Sequence, residues 1–482
     1  MIHMVNFSIA EAAKACDGKL VLKNETNEAF RLTSLVIDSR KVTCGGAFLA
    51  VPGERVDGHR FISNVYKQGA VLAITAKTPE QVEKETGTDC SDWGSYLLVE
   101  DTLAALRKIA EAYRIKAGIP IVGITGSVGK TSTKEFIAAV LEEKYKVLKT
   151  EGNFNNEIGV PLTLLRIEPE HEIAVVEMGI SDFGEMHRLS KMVRPNVCVI
   201  TNIGQCHLEN LKTRDGILQA KSEIFDFMAE DGVVCLNGED DKLSTLACVQ
   251  GRTPHFFGLG GSPLEEVQAL DVESRGLWGS DAKLVIDGSA VEIHVPLPGR
   301  HMVLNAAAAA CVAVQMGLEI DEIAAGIGKV EPVSGRNHLI RLDRYTLIDD
   351  CYNANPASMK AAIDLLEMAD TVKVAILGDM FELGENTDAL HAEVGRYAAD
   401  AGLDILLCVG ENAKHMYDAA TEKVRQTENS ASPMRVIYFD GLQTLLQGLQ
   451  EKKDTYIPEG CTVLIKASHG MNFAKVLEVL KE

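Results

Sequence analysis

Nothing in this 482-residue chain could cross a bilayer as a helix: no apolar run reaches the roughly eighteen residues required. The opening segment MIHMVNFSIAEAAKA lacks the charged-then-apolar pattern of a secretory leader. The eleven cysteines include no C-x-x-C pair and no regular framework, so they read as reduced thiols of a cytoplasmic protein. Several, such as Cys198, Cys408 and Cys461, lie in apolar strand-like runs where small buried hydrophobes belong. Basic residues are scarce beside acidic ones, 48 against 69, and the net charge of −21 argues against general nucleic-acid binding or adhesion to anionic membranes. An anionic ligand must therefore be met by local lysines, helix N-termini and a bound cation. There is no internal repeat, and no low-complexity segment beyond one alanine run. What remains is ordinary globular material, 46% apolar and 24% charged, with length for about three domains.

The densest chemical signal is PIVGITGSVGKTST, Pro120 to Thr133. A β-rich apolar run meets a glycine turn, then Gly129-Lys130-Thr131, then helix-like apolar spacing. Strand, glycine loop and helix N-terminus make a cradle for a nucleotide triphosphate. Small residues let backbone N–H groups approach the phosphates, Lys130 supplies a point charge, and the Thr131 hydroxyl can ligate Mg²⁺. The loop is a variant: the standard pattern wants glycine where Ile124 stands, and glycine appears instead at Gly123 and Gly126.

The pattern predicts an α/β chain in three units, 1–99, 100–333 and 334–482. In the first, a helix at Ile9–Ala15 precedes strands at Leu35–Ile37, Ala47–Val51, Val71–Thr75 and Tyr96–Val99, with a polar stretch Thr78–Gly94 between the last two. Asp101 and Thr102 cap a helix leading to the phosphate loop. Alternating strands and helices, including a helix at Ala220–Met228 with Lys221 near its start, then predict a mostly parallel sheet. From His255 to Val295, short alternating runs with glycine turns predict a small antiparallel addition. After the linker Val330–His338, a further strand–helix series predicts a Rossmann-like unit without its own glycine fingerprint.

Strand ends of the middle unit offer metal and phosphate ligands. Glu177 ends the strand in AVVEMG, and His207 follows the strand in ITNIGQCHLE. Taken alone, Glu177 reads as a surface carboxylate and His207 as a satisfied or exposed histidine. Together with Thr131 they form a hard-cation set suited to Mg²⁺. The run GNFNNEIGVPLTLL clusters Asn153, Asn155 and Asn156, either as hydrogen-bonding amides or as an asparagine-rich turn. Asp350 in LIDDCYNANPASM suits ribose hydroxyls or a helix cap equally.

The ordered series TGSVGKTSTKE, GNFNNEIGVPLTLL, EMG, ITNIGQCHLE, AKSEIF, LNAAAAA, GR, IDDCYNANPASM and LGDMFELG resembles the Mur ligase family, from roughly Ser34 to Gly470. The resemblance implies an ATP- and Mg²⁺-dependent amide ligase acting on a UDP-N-acetylmuramoyl-tripeptide and D-alanyl-D-alanine, a monomer with no nucleic-acid partner. It implies ATP contacts at Gly126, Ser127, Gly129, Lys130, Thr131, Ser132, Asn155, Asn305, Arg336 and Asp350. It implies Mg²⁺ on Thr131, Glu177, His207 and a carbamylated Lys221, with Lys130, Glu177, His207 and Lys221 serving catalysis. DSRKV and FLAVPGERVDGHRFI resemble the family's UDP-sugar site, through Ser39, Arg40, Asp57, Gly58 and His59. The first unit would then hold the UDP-sugar, the second ATP, and the third would close over the nucleotide.

One departure is Lys466-Ala467-Ser468-His469, where the family usually reads lysine-glycine-serine-arginine. Histidine carries a less certain charge than arginine near neutral pH. Two other readings stay open: the sibling ligase that adds the third, diamino residue, and a non-catalytic nucleotide-binding subunit on the same fold. A simple phosphate-loop kinase would not need the flanking units.

Overall fold

The computed structural model describes residues 4–481 apart from 5, 24–25, 54–55, 205, 333–334, 336–337, 382 and 427–433. None of the described helices is long and apolar enough to span a membrane. Packing divides the chain into two compact units: Met1–Asp271 with Ala282–Ile293 and Val303–Lys329, and Val272–Asp281 with His294–Met302 and Val330–Glu482.

The first unit begins with a five-stranded sheet in the order Lys19–Val21, Tyr96–Leu98, Leu72–Thr75, Ala47–Leu49, Leu35–Val36. All neighbours are parallel except the Lys19–Val21 edge. Its central strands Ala47–Leu49 and Leu72–Thr75 are buried at every position because both faces are covered. The polar stretch Thr78–Gly94 contains a helix, Pro79–Thr86, which apolar periodicity did not show because Val82 alone is buried on it. Local chemistry makes that helix: Thr78 and Gln81 form a reciprocal capping box, and proline opens the first turn. The helix Thr102–Ala117 is capped by Asp101 but not by Thr102, which is its first residue and whose hydroxyl has no hydrogen-bond partner among the described residues, and it ends at Gly118 in the left-handed region. Its Leu106, Ile109, Ala110 and Tyr113 join Phe7 and Ile9 in one core, with the Phe7 and Tyr113 rings edge to face at 5.5 Å.

The nine-stranded sheet has Ile121–Thr125 between Ile173–Glu177 and Val197–Ile200, both parallel to it. The carboxyl ends of these three strands therefore open on the same edge. The expected antiparallel addition is smaller than the glycine turns implied. His255–Gly258 and Glu265–Ser274 continue the parallel pairing, and a hairpin falls on Ser280–Ile286 and Ser289–Val295. That hairpin turns at Asp287-Gly288, both at positive φ (48° and 80°), as a two-residue turn between twisted strands requires. Lys221 also lies elsewhere in its helix than the sequence predicts. The helix runs Arg214–Ser222 and tightens into a 3₁₀ turn at Glu223–Phe225, so Lys221 lies in its last turn and not near its start.

The second unit holds a six-stranded sheet in the order His338–Arg341, Thr346–Asp349, Thr462–Lys466, Lys373–Gly378, Ile405–Val409, Arg435–Phe439. It is parallel except for the first strand. Apolar clusters cover both faces, as a doubly wound layer requires.

Candidate nucleotide site

The phosphate loop leaves the strand Ile121–Thr125 and enters the helix Lys130–Leu141 through Gly129, which caps it at φ +81°. Gly126 has φ +151°, and a Cβ there would lie 1.9 Å from the Thr201 hydroxyl. Only glycine lets the loop pass so close to the neighbouring strand end. The segment after Val197–Ile200 grips the loop. Ser127 N–H donates to Asn202 O at 3.0 Å, Val128 N–H to Asn202 Oδ1 at 3.0 Å, and Thr201 Oγ1 to Val128 O at 2.7 Å. Gly204 N–H donates to Ser127 Oγ at 2.8 Å. Thr201 and Asn202 are loop-holding residues that the sequence does not disclose, because only the fold sets the end of their strand beside the loop.

This arrangement yields a prediction. Gly126→Ala forces the loop off Thr201, with strain of about 1–3 kcal/mol. We expect at least about tenfold weaker ADP binding by titration calorimetry, with a folded protein by circular dichroism. Wild-type affinity in that variant would refute the account of the loop.

Lys130 Nζ donates to Gly126 O at 2.9 Å, so its ammonium lies within the loop. Thr131 is buried, and its hydroxyl donates to Glu177 Oε2 at 2.9 Å. Asn155 Nδ2 donates to the other oxygen, Oε1, at 2.8 Å. Asn155 is held in turn by Gly179 N–H, which donates to its carbonyl at 2.7 Å. Thus Thr131, Asn155 and Glu177, far apart in sequence, meet at one carboxylate. Asn305 joins from the helix Arg300–Gln315: its Oδ1 accepts from Thr133 Oγ1 at 3.0 Å. Ser132 is half-buried on the same helix turn.

The remaining predicted ligands are placed differently. His207 is exposed, at φ +51°, and its carbonyl accepts from Asn210 and Leu211 at the start of a short helix. No cluster of three His, Cys, Asp or Glu residues fit to hold a metal exists among the described residues. Lys221 is 1% exposed. Burial first, and then the Lys130 cation, bring its amine down to about 8, with Cys206 opposing both.

In the second unit, Asp350 and Lys466 form a buried ion pair at 2.5 Å, and Lys466 Nζ also donates to Asn353 O at 2.9 Å. In the Lys466–His469 motif, Ser468 Oγ accepts from Phe381 N–H at 2.9 Å, and exposed His469 sets its ring edge to face against Tyr352. Arg336 lies outside the described residues.

In the first unit, Arg40 clasps Asp38 through Nε and Nη2 while its own side chain stays 87% exposed. The Arg40 guanidinium holds the Asp38 carboxyl down to about 2. Ser39 opens the 3₁₀ turn beside them. His59 is buried and commits both ring nitrogens to the protein, Nδ1 to Asp57 at 2.5 Å and Nε2 to Ala76 N–H at 3.2 Å. Burial works to raise the Asp57 carboxyl, but bonds from His59 and Lys77 outweigh it and bring it down to about 2. Gly58 brings its backbone so near Val51 that a Cβ would lie 2.7 Å from that carbonyl.

A strand, a glycine loop and a helix carrying lysine and threonine, with a carboxylate from the adjacent strand end bonded to that threonine, define a phosphate-loop nucleotide-binding protein. Family comparison narrows the class. The Mur ligase middle domain matches residues 124–313, the Mur ligase glutamate ligase domain 335–469, and the Mur ligase family catalytic domain 31–114. The chain belongs to the Mur ligase family. It is 33% identical to the UDP-N-acetylmuramoyl-tripeptide–D-alanyl-D-alanine ligase of Bacillus subtilis, over 100% of this chain and 99% of that one. A crystal structure of MurF from Acinetobacter baumannii is similar at a TM-score of 0.87 and 29% identity, covering 99% of each chain. MurF ligase from Thermotoga maritima in complex with ADP is similar at a TM-score of 0.74 and 28% identity, covering 93% of this chain and 97% of that one.

Proposed function

We propose that the chain is the ATP-dependent ligase that joins D-alanyl-D-alanine to UDP-N-acetylmuramoyl-tripeptide in peptidoglycan precursor synthesis, working in the cytoplasm as a monomer. The observation that carries this reading is the full-length likeness to such ligases, extending through a phosphate loop whose Thr131 is bonded to Glu177. The terminal carboxylate of the tripeptide attacks the γ-phosphorus of ATP, and ADP leaves with the bridging oxygen. The free amine of D-alanyl-D-alanine then attacks the acyl carbon, the amide bond forms, and inorganic phosphate departs. The chain's contribution is positioning and charge. Backbone N–H groups from Gly126 to Ser132 cradle the phosphates, and Lys130 opposes the repulsion between two anions. Asn155 and Asn305 flank the adenine side. Arg336 and Asp350 serve the phosphates and ribose, while Ser39, Arg40, Asp57, Gly58 and His59 form the UDP-sugar end.

Thr131 and Glu177 would hold Mg²⁺ through the hard oxygen donors that suit it. His207 and a carbamylated Lys221 would complete the set that holds the metal. When bound, Mg²⁺ supplies charge neutralisation at the transferring phosphoryl group. The low basicity of Lys221 favours carbamylation, because only the neutral amine attacks CO₂ and the product is a carboxylate-like ligand.

ADP release is expected with UDP-muramoyl tripeptide plus D-alanyl-D-alanine, and not with either substrate alone. Release only with UDP-muramoyl dipeptide and a diamino acid would transfer the assignment to the sibling ligase. No release with either pair would favour a non-catalytic nucleotide-binding subunit.

A further inference from the structure

A lysine buried in a protein interior needs partners to offset its desolvation, and those partners show what it organises. Lys134 is 2% exposed on the phosphate-loop helix, one turn after Thr131 and on the same face. Its Nζ donates to Thr150 O at 2.6 Å and pairs with Glu135 Oε1 at 2.8 Å. Glu135 is held from its other oxygen by Lys149 at 2.6 Å. Thr150, just past the strand Val147–Lys149, is 1% exposed. Its N–H donates to Val175 O at 3.0 Å, and its hydroxyl accepts from Glu177 N–H at 3.0 Å. Glu177 returns to the helix through Thr131 at 2.9 Å. A closed ring results: Lys134 to Thr150, Thr150 to Glu177, Glu177 to Thr131, and one helical turn back to Lys134. Its members come from the loop helix and from two adjacent strand ends, so the ring fixes the distance between the Thr131 hydroxyl and the Glu177 carboxylate.

We infer that Lys134 and Thr150 are positioning residues that hold Glu177 and Thr131 at the spacing a nucleotide-bound divalent cation requires. The inference rests on the reading that Glu177 is a ligand for that cation. Lys134 touches neither metal nor nucleotide in this role. It acts through the backbone of Thr150, as outer partners orient metal ligands in other sites. A filler of equal volume would pack the same space without fixing the register of helix and strand. That is the difference between a positioning residue and a core residue here.

The test uses Mn²⁺ as the probe, with its binding to the full-length protein plus ADP followed by the loss of the free-ion electron paramagnetic resonance signal. Thr150→Val and Lys134→Met are expected to raise the half-saturating Mn²⁺ concentration about tenfold. Thr150→Ser, which keeps the hydroxyl, is expected to restore it to within about twofold of wild type. In steady state, the Mg²⁺ requirement for ADP release should rise in the same two variants, while the KM for D-alanyl-D-alanine stays put. A purely structural role would lower the melting temperature and leave Mn²⁺ affinity untouched, and that result in either folded variant would overturn the inference. Thr150→Val carries the test if Lys134→Met does not fold. Glu177→Gln separates the positioning role from metal binding by Glu177 itself. Weakened Mn²⁺ binding in Glu177→Gln but not in Thr150→Val or Lys134→Met removes the positioning role alone, whereas unchanged binding in Glu177→Gln removes the metal reading beneath it.

Discussion

Lys130→Ala is expected to leave a folded protein whose ADP release with both substrates falls by about 10³-fold or more. The size follows from what the residue opposes. Two anions, a peptide carboxylate and the γ-phosphate, must approach in line, and the chain as a whole carries a charge of −21 that gives them no help. The compensating positive charge has to be local. Lys130 is placed for it, at the first turn of the helix with its Nζ inside the loop, 2.9 Å from Gly126 O. The backbone N–H groups of the same turn add partial charge, but they cannot follow the phosphoryl group as a flexible side chain can. Near-normal ADP release in the variant would count decisively against the mechanism. The split between constants is informative as well. A loss confined to kcat means the charge acts in the transition state, and a loss confined to the KM for ATP means it acts only in binding.

The parts of this site that sequence made legible are those whose chemistry is local. Gly126, Gly129, Lys130 and Thr131 sit together in one loop, and Glu177 stands at the end of an apolar run, where parallel sheets present ligands. What stayed hidden depends on pairing across distance. Thr150 becomes meaningful only when Glu177 N–H reaches its hydroxyl, and Thr201 only when its strand lies beside the phosphate-loop strand. Sequence also does not show which polar atoms the protein itself uses. His59 stands in a run matching the UDP-sugar pattern, yet both ring nitrogens are bonded to Asp57 and Ala76. In the fold, much of the alternation of strand and helix is readable from sequence, and the misses fall where an element is short, as at Lys19–Val21 and Val147–Lys149, or where local patterns mimic other structures. Glycine-punctuated runs from His255 suggested antiparallel pairing, but register with Val233–Asn237 makes the first of them parallel. The helix Pro79–Thr86 is written in caps and a proline, with almost no apolar stripe to betray it.

Lys221→Met should separate function from stability most sharply. Lys221 is 1% exposed, and no hydrogen-bond or ion-pair partner for its amine is seen among the described residues. Its folded pKa is brought down to about 8 from the ordinary 10.5, first by burial and then by the Lys130 cation. A depressed lysine pKa means the unfolded chain binds more protons than the native one between those two values. Stability through this group therefore rises as pH climbs from about 8 to 10.5, and the full penalty of the buried cation is present below pH 8. At about 1.4 kcal/mol for each pH unit, the penalty is about 3 kcal/mol at neutral pH. In buffer stripped of CO₂, the methionine variant should be more stable than wild type by about that amount in urea unfolding at pH 7, and the advantage should shrink toward pH 10. Its ADP release should fall by about 10²-fold or more, because a thioether cannot become a carbamate or hold a cation. Bicarbonate should then stabilise and activate the wild type and leave the variant unmoved. A variant no more stable than wild type at pH 7 would mean the amine is solvated or paired in solution. Full activity in the variant would mean that the amine, however costly to bury, has no part in the reaction. Both results together would leave the retention of a lysine at this position without a chemical reason, since methionine fills the same space at no electrostatic cost.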